Sequence, residues 1–171
     1  PGTWSNVIGL NTSAGCVQCG EGKFQPLNGA TREEDCLACR PGTVAPNSNT
    51  AACADCEAGT FMNASGGEVC HDCPPGYYCE AGAAAPLPCA EGTHSDATKL
   101  TSAAECTDAD PGFYATTGST EQTPCAPGTY TDEPKQSTCK PCEPGSFQNA
   151  SGATACMPCP EGSFCPEGAA A

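Results

Sequence analysis

Cys-x-x-Cys occurs six times in this sequence, at 16/19, 36/39, 53/56, 70/73, 139/142 and 156/159. Three chemistries use that spacing. A thiol oxidoreductase places one reactive pair at the start of a helix in a packed fold. A zinc ribbon gathers two pairs around a tetrahedral ion, and 36/39 with 53/56 or 139/142 with 156/159 are spaced for it. Secreted modules use the same cysteines as halves of disulfides. Six pairs on polar, loop-forming sequence fit the third use. An acidic chain with three N-glycosylation acceptors does not suit a zinc ribbon, which belongs to reducing compartments and usually to basic surfaces.

Those acceptors are Asn11-Thr-Ser13, Asn63-Ala-Ser65 and Asn149-Ala-Ser151, each a candidate for an N-linked glycan. Asp108-Ala109-Asp110 offers oxygen ligands for a weak calcium site but lacks the regular loop spacing of a calcium-binding hand. His71 and His94 have no histidine at ligand spacing and are read as solvated. Trp4, Tyr77, Tyr78 and Tyr114 are candidates for a binding patch, with packing over disulfides as the alternative. Nothing resembles a Ser/His/Asp set, a phosphate loop or a paired-carboxylate site. The expectation is no catalytic residue, no metal and no cofactor.

The elements that position these residues have to be small. The 171 residues include 17 Cys, 20 Gly and 17 Pro, while large apolar side chains are scarce. One shared interior cannot offset the entropy of ordering such a chain, so local cross-links must do so. Closing a loop of about 15 residues contributes roughly 3 kcal/mol in the chain-entropy account. Twenty acidic against six basic residues give a net charge of −14, which disfavours nucleic acid and anionic membrane surfaces as partners. The acids are scattered apart from the Glu33, Glu34, Asp35 cluster and read as a soluble, self-repelling surface. No apolar run reaches the length of a membrane span. The sequence reads as an excerpt of a longer secreted chain.

A repeat sets the spacing. Each unit opens with a Cys, a short turn and often an aromatic, and runs to a closing Cys. Cys39 to Cys53, Cys56 to Cys70, Cys125 to Cys139 and Cys142 to Cys156 all span 14 positions. Residues 53–85 recur at 139–171, 86 positions on. Cys19 to Cys36 resembles Cys89 to Cys106 at a shift of 70. Pro-Gly after the opening Cys marks a turn, because Pro presets φ and Gly accepts a positive one. The following aromatic (Phe61, Tyr130, Phe147, Phe164) is expected over the disulfide of its own unit.

The units are bounded at 1–19 (truncated), 20–39, 40–56, 57–73, 74–89 (variant), 90–106, 107–125 (Cys-poor), 126–142, 143–159 and 160–171 (truncated variant). The expected fold is a tandem of small disulfide-rich modules with short β-hairpins, loops and little or no helix. It forms an elongated rod without a shared hydrophobic core, each unit touching chiefly its neighbours. If each opening Cys pairs with the next closing Cys, the bonds are Cys19–Cys36, Cys39–Cys53, Cys56–Cys70, Cys73–Cys79, Cys89–Cys106, Cys125–Cys139, Cys142–Cys156 and Cys159–Cys165. The short loops leave a different pairing open, such as Cys79 with Cys89. Cys16 is left over and is expected to pair with a Cys upstream of Pro1.

The pattern Cys-x-Pro-Gly-Thr/Ser, with Tyr130 or Phe147 next at 125–142 and 142–159 and Val44 at 39–56, followed by Cys-x-x-Cys, resembles the ephrin-receptor-like cysteine-rich repeat. It is also similar to tumour-necrosis-factor-receptor and EGF-like disulfide modules. The resemblance implies an extracellular or cell-surface, elongated module with sequential pairing and no catalytic residue. From it and from the tandem units follows the functional expectation of a glycosylated structural protein of an extracellular filament or matrix. Its partners would be copies of itself or other extracellular proteins. A receptor or adhesion ectodomain that binds a protein ligand is the alternative.

Overall fold

The computed structural model describes residues 1–7 and 15–170. Among them the recurring element is an antiparallel hairpin of two-residue strands, present nine times. Two compact units divide the chain, one comprising 1–73 and 79–86, the other 74–78 and 87–171.

In the first compact unit Thr3–Trp4 pairs with Val17–Gln18, Lys23–Phe24 with Leu37–Ala38, Thr43–Val44 with Ala54–Asp55, and Thr60–Phe61 with His71–Asp72. The second holds Tyr77–Tyr78 with Leu87–Pro88, Thr93–His94 with Thr107–Asp108, Phe113–Tyr114 with Thr123–Pro124, Thr129–Tyr130 with Lys140–Pro141, and Ser146–Phe147 with Met157–Pro158. The first strand follows the turn glycine of its module. The second is the pair of residues inside Cys-x-x-Cys or its equivalent. Among the described residues helix is confined to single 3-10 turns such as Glu33–Asp35 and Ala103–Glu105.

A strand of two residues cannot hold itself, so the hydrogen bonds that matter run between modules. The N–H of each turn glycine donates to a carbonyl three residues past the next turn glycine. Gly22 donates to Ala45 at 2.9 Å and Gly42 to Met62 at 2.7 Å in the first compact unit. Gly92 to Ala115 at 2.8 Å and Gly112 to Thr131 at 2.9 Å repeat the step in the second. In return the next opening residue donates to the glycine carbonyl, as Cys39 does to Gly22 and Cys125 to Gly112, both at 2.9 Å. A second left-handed residue in each loop donates back to the preceding opening residue: Gly66 to Cys39, Gly118 to Cys89 and Gly152 to Cys125.

Contacts also reach the second neighbour. A Cβ built on Gly42 would stand 2.2 Å from the carbonyl oxygen of Gly82, and one on Gly112 would stand 2.3 Å from that of Gly152. The turn glycine therefore serves twice: it takes up positive φ, and it lets backbone from two modules away come into contact.

The interior consists of sulfur and small side chains. Cys39, Cys73, Cys79, Cys89, Cys125 and Cys142 have no exposed surface, and Ala45, Ala109 and Ala115 are buried with them. Among the described residues, larger apolar groups cluster at Val44, Cys56 and Met62, with Cys70 against them. Among the described residues no core is shared along the chain.

Candidate functional site

The position three residues past the turn glycine is buried in every module from Gly22 onward, and its occupant varies. Where it is Gln, the side chain clamps the loop. Gln25 donates from Nε2 to the Asp35 carbonyl at 2.6 Å and accepts the Leu27 N–H at 3.0 Å. Gln148 donates to the Ala155 carbonyl at 2.8 Å and accepts the Ala150 N–H at 2.9 Å. Each clamped carbonyl belongs to the residue before a closing Cys. Where the position is Cys79 or Cys165, it supplies a disulfide instead, to Cys73 and Cys159 respectively. The short loops in the sequence thus arise because the closing sulfur has moved to a site that is already buried.

Six further bonds join Cys19–Cys36, Cys39–Cys53, Cys56–Cys70, Cys89–Cys106, Cys125–Cys139 and Cys142–Cys156. Cys89 is bonded to Cys106, not to Cys79. In every Cys-x-x-Cys from 36/39 onward the two sulfurs belong to different disulfides, one closing the module before and one opening the module after. The sulfurs a zinc ribbon would need, at 36/39/53/56 and 139/142/156/159, are bonded to carbon-borne sulfur partners in this way. Cys16 carries no disulfide within the chain and is half-buried.

One module lacks its bond. Ala109 stands where an opening Cys would be, three residues before Gly112, and Gln122 stands at the closing position. The Asp110 N–H donates to Gln122 Oε1 at 2.7 Å, and Gln122 Nε2 donates to Asp110 Oδ2 at 2.9 Å. Asp108 pairs with Lys135 at 3.2 Å. The two carboxylates of Asp108-Ala109-Asp110 therefore each have a protein partner of their own.

Acidic residues also fasten the longer loops. Asp35 Oδ2 accepts the N–H of Arg32 at 3.0 Å and of Thr31 at 2.9 Å, and these backbone bonds hold its carboxyl below the usual carboxylate range. Glu105, at the equivalent place before Cys106, is lowered chiefly by a short hydrogen bond from the Thr101 hydroxyl. Asp132 is lowered, and Lys140 raised, by their hydrogen bond of 2.8 Å.

Asn63 and Asn149 are exposed at matching places, directly after the buried positions Met62 and Gln148. Asn11 lies outside the described residues. His71 is exposed and faces Phe61 across its hairpin, ring centroids 5.9 Å apart. His94 is half-buried opposite Thr107.

Of the aromatics expected over the disulfide of their own unit, Phe61, Tyr130 and Phe147 are half-buried. Trp4, Phe24 and Tyr114 each line a groove whose other wall holds the closing half-cystine of the next module, Cys36, Cys53 and Cys139 in turn. Phe164, at the same position of its module, is 87% exposed. Tyr77, Tyr78 and Tyr114 are half-buried on their hairpins in one compact unit, and Trp4 is half-buried in the other.

A family model described as tyrosine-protein kinase ephrin type A/B receptor-like matches residues 133–170. No curated protein matches the sequence. Residues 133–170 are thus similar to an ephrin-receptor-like cysteine-rich repeat. The matched segment contains Cys139, Cys142, Cys156, Cys159 and Cys165, and the same five-cysteine frame recurs 86 residues earlier as Cys53, Cys56, Cys70, Cys73 and Cys79. Ephrin-receptor-like repeats are typically extracellular, and they are ectodomain modules rather than catalytic ones. Among the described residues no helix is long and apolar enough to cross a membrane.

Proposed function

We propose that the chain is a non-catalytic, extracellular structural array that builds a cell-surface or extracellular filament or matrix. One observation carries this reading. Each module passes its backbone hydrogen bonds to the next in a fixed register, from the turn glycine to the carbonyl three residues past the following one. An architecture of that kind lengthens by adding modules and needs no separate core. Glycans on Asn63 and Asn149, with Asn11, would cover polar loops of such an array, and other copies of the chain would be its partners.

Negative-stain microscopy and sedimentation velocity on the purified protein over a range of concentrations test it. Lateral or axial assembly that grows with concentration is expected. Dispersed monomers throughout would overturn the filament reading.

A second reading is a receptor or adhesion ectodomain that binds a protein ligand. It is favoured by the receptor named in the matching family's description and by the grooves at Phe24 and Tyr114. Saturable binding of the monomeric protein to an extracellular partner, with no self-assembly, would select it.

A further inference from the structure

We infer that the module between Cys106 and Cys125 is the yielding element of the chain: under tension it opens before the modules beside it, and it re-forms without any thiol chemistry. The inference goes beyond the structural role proposed above and holds whether or not the chain assembles.

The reason lies in how tension travels through a cross-linked chain. A disulfide carries load straight across its loop, so the loop cannot lengthen while the bond stands. Only residues between one disulfide and the next can be drawn out. From Cys36 to Cys39, Cys53 to Cys56, Cys70 to Cys73, Cys139 to Cys142 and Cys156 to Cys159 that stretch is three positions. From Cys79 to Cys89 it is 10 positions (89 − 79), and from Cys106 to Cys125 it is 19 (125 − 106). Between Cys19 and Cys165 the longest unbridged stretch of the chain therefore lies in this one module.

That module is folded like the others. Ala109 is fully buried and donates its N–H to the Gly92 carbonyl at 2.9 Å, as opening cysteines do elsewhere. What replaces the missing bond is a set of hydrogen bonds that can part and rejoin. Gln122 and Asp110 form the two-point clasp across the loop. Lys135 pairs with Asp108 and donates its N–H to the Ala109 carbonyl at 2.8 Å. The buried Thr131 hydroxyl accepts from Gly112 N–H at 2.7 Å and donates to the Phe113 carbonyl at 3.3 Å. These partners re-form in place because Cys106 and Cys125 remain fixed to the modules on either side.

Single-molecule force spectroscopy on the whole oxidised chain, tethered at its two ends, tests the inference. The unaltered protein should show a reversible lengthening step of at most roughly 65 Å, the fully extended reach of 19 residues. In Ala109→Cys/Gln122→Cys, once mass spectrometry shows a ninth disulfide, that step should vanish while the other transitions stay. If the cross-link does not form, Gln122→Ala serves instead, and the step should move to lower force. A step that persists in the cross-linked protein would overturn the inference, as would a step force unchanged by Gln122→Ala.

Discussion

Gly22 and Gly66 belong to modules two apart, yet a Cβ on Gly22 would stand 2.2 Å from the Gly66 carbonyl oxygen. Gly22 also sits at φ 73°. Two independent penalties therefore meet at one residue, and three glycines of the same compact unit separate them. Gly20 has neither, being open to solvent with nothing near its missing Cβ; Gly29 has positive φ but open space. Gly20→Ala should change stability by no more than about 0.5 kcal/mol. Gly29→Ala should cost about 1 kcal/mol from conformation alone. Gly22→Ala should cost about 2–4 kcal/mol, because the clash adds to the strain. Denaturant titration followed by Trp4 fluorescence measures the series, and equal effects at Gly22 and Gly29 would refute the second-neighbour contact.

The glutamine clamps make a separable prediction. Gln25→Ala and Gln148→Ala each remove both bonds of a buried side chain and leave a carbonyl before a closing Cys without its partner. Each should destabilise by about 1–3 kcal/mol. Hydrogen exchange should speed up at the Leu27 and Ala150 amides, which lose their acceptors. Gln136, whose side chain reaches only Pro134 two residues away, provides the comparison. Its replacement by Ala should change little.

Acid should loosen the long loops before it affects the disulfides. Asp35, Glu105 and Asp132 all titrate below their ordinary range in the folded chain. A carboxylate lowered on folding contributes stability that is complete above its unfolded pKa and is lost as pH falls through the folded one. Lys140 is shifted upward, so its contribution is complete below the usual lysine range and is lost only in strong alkali. The amides of Thr31 and Arg32 should thus hold their chemical shifts from neutral pH down to roughly 4 and move below it. An NMR titration that finds Asp35 at or above the ordinary carboxylate value would contradict the geometry.

Thiol counting checks the cross-links. The 171-residue chain, denatured without reductant, should take up one equivalent of alkylating agent, at Cys16, and none in Cys16→Ser. Peptide mapping should recover Cys73 with Cys79 and Cys159 with Cys165. Release of further thiols on adding a chelator would mean metal in place of sulfur bonds.

Tandem modules, brief hairpins and the absence of a common core were legible because cysteine and glycine recur at fixed intervals and large apolar residues are few. What stayed hidden depends on partners distant in sequence. Nothing near Gly42 in the chain points to Gly82, so the local Pro-Gly reading explained the turn and missed the close approach. Gln25 and Gln148 looked like polar loop residues, and only their shared distance past a turn glycine could have marked them. Gln122 replaces a sulfur with an amide, a change of chemistry that no cysteine pattern reveals. Phe164 was expected over its own disulfide by analogy with its neighbours. In the structure Phe164 is largely exposed, while Trp4, Phe24 and Tyr114, at the same position of their modules, line grooves that hold a half-cystine of the next module.

The strand inside each Cys-x-x-Cys from 36/39 onward is flanked by two sulfurs that belong to different rings. A wrong partner for either one displaces a strand on which two modules depend, so an error of oxidation does not stay local. Maturation of the chain therefore calls for repeated thiol–disulfide exchange until neighbouring rings agree, a proofreading demand that grows with each module added and that an isomerase-equipped secretory compartment can meet.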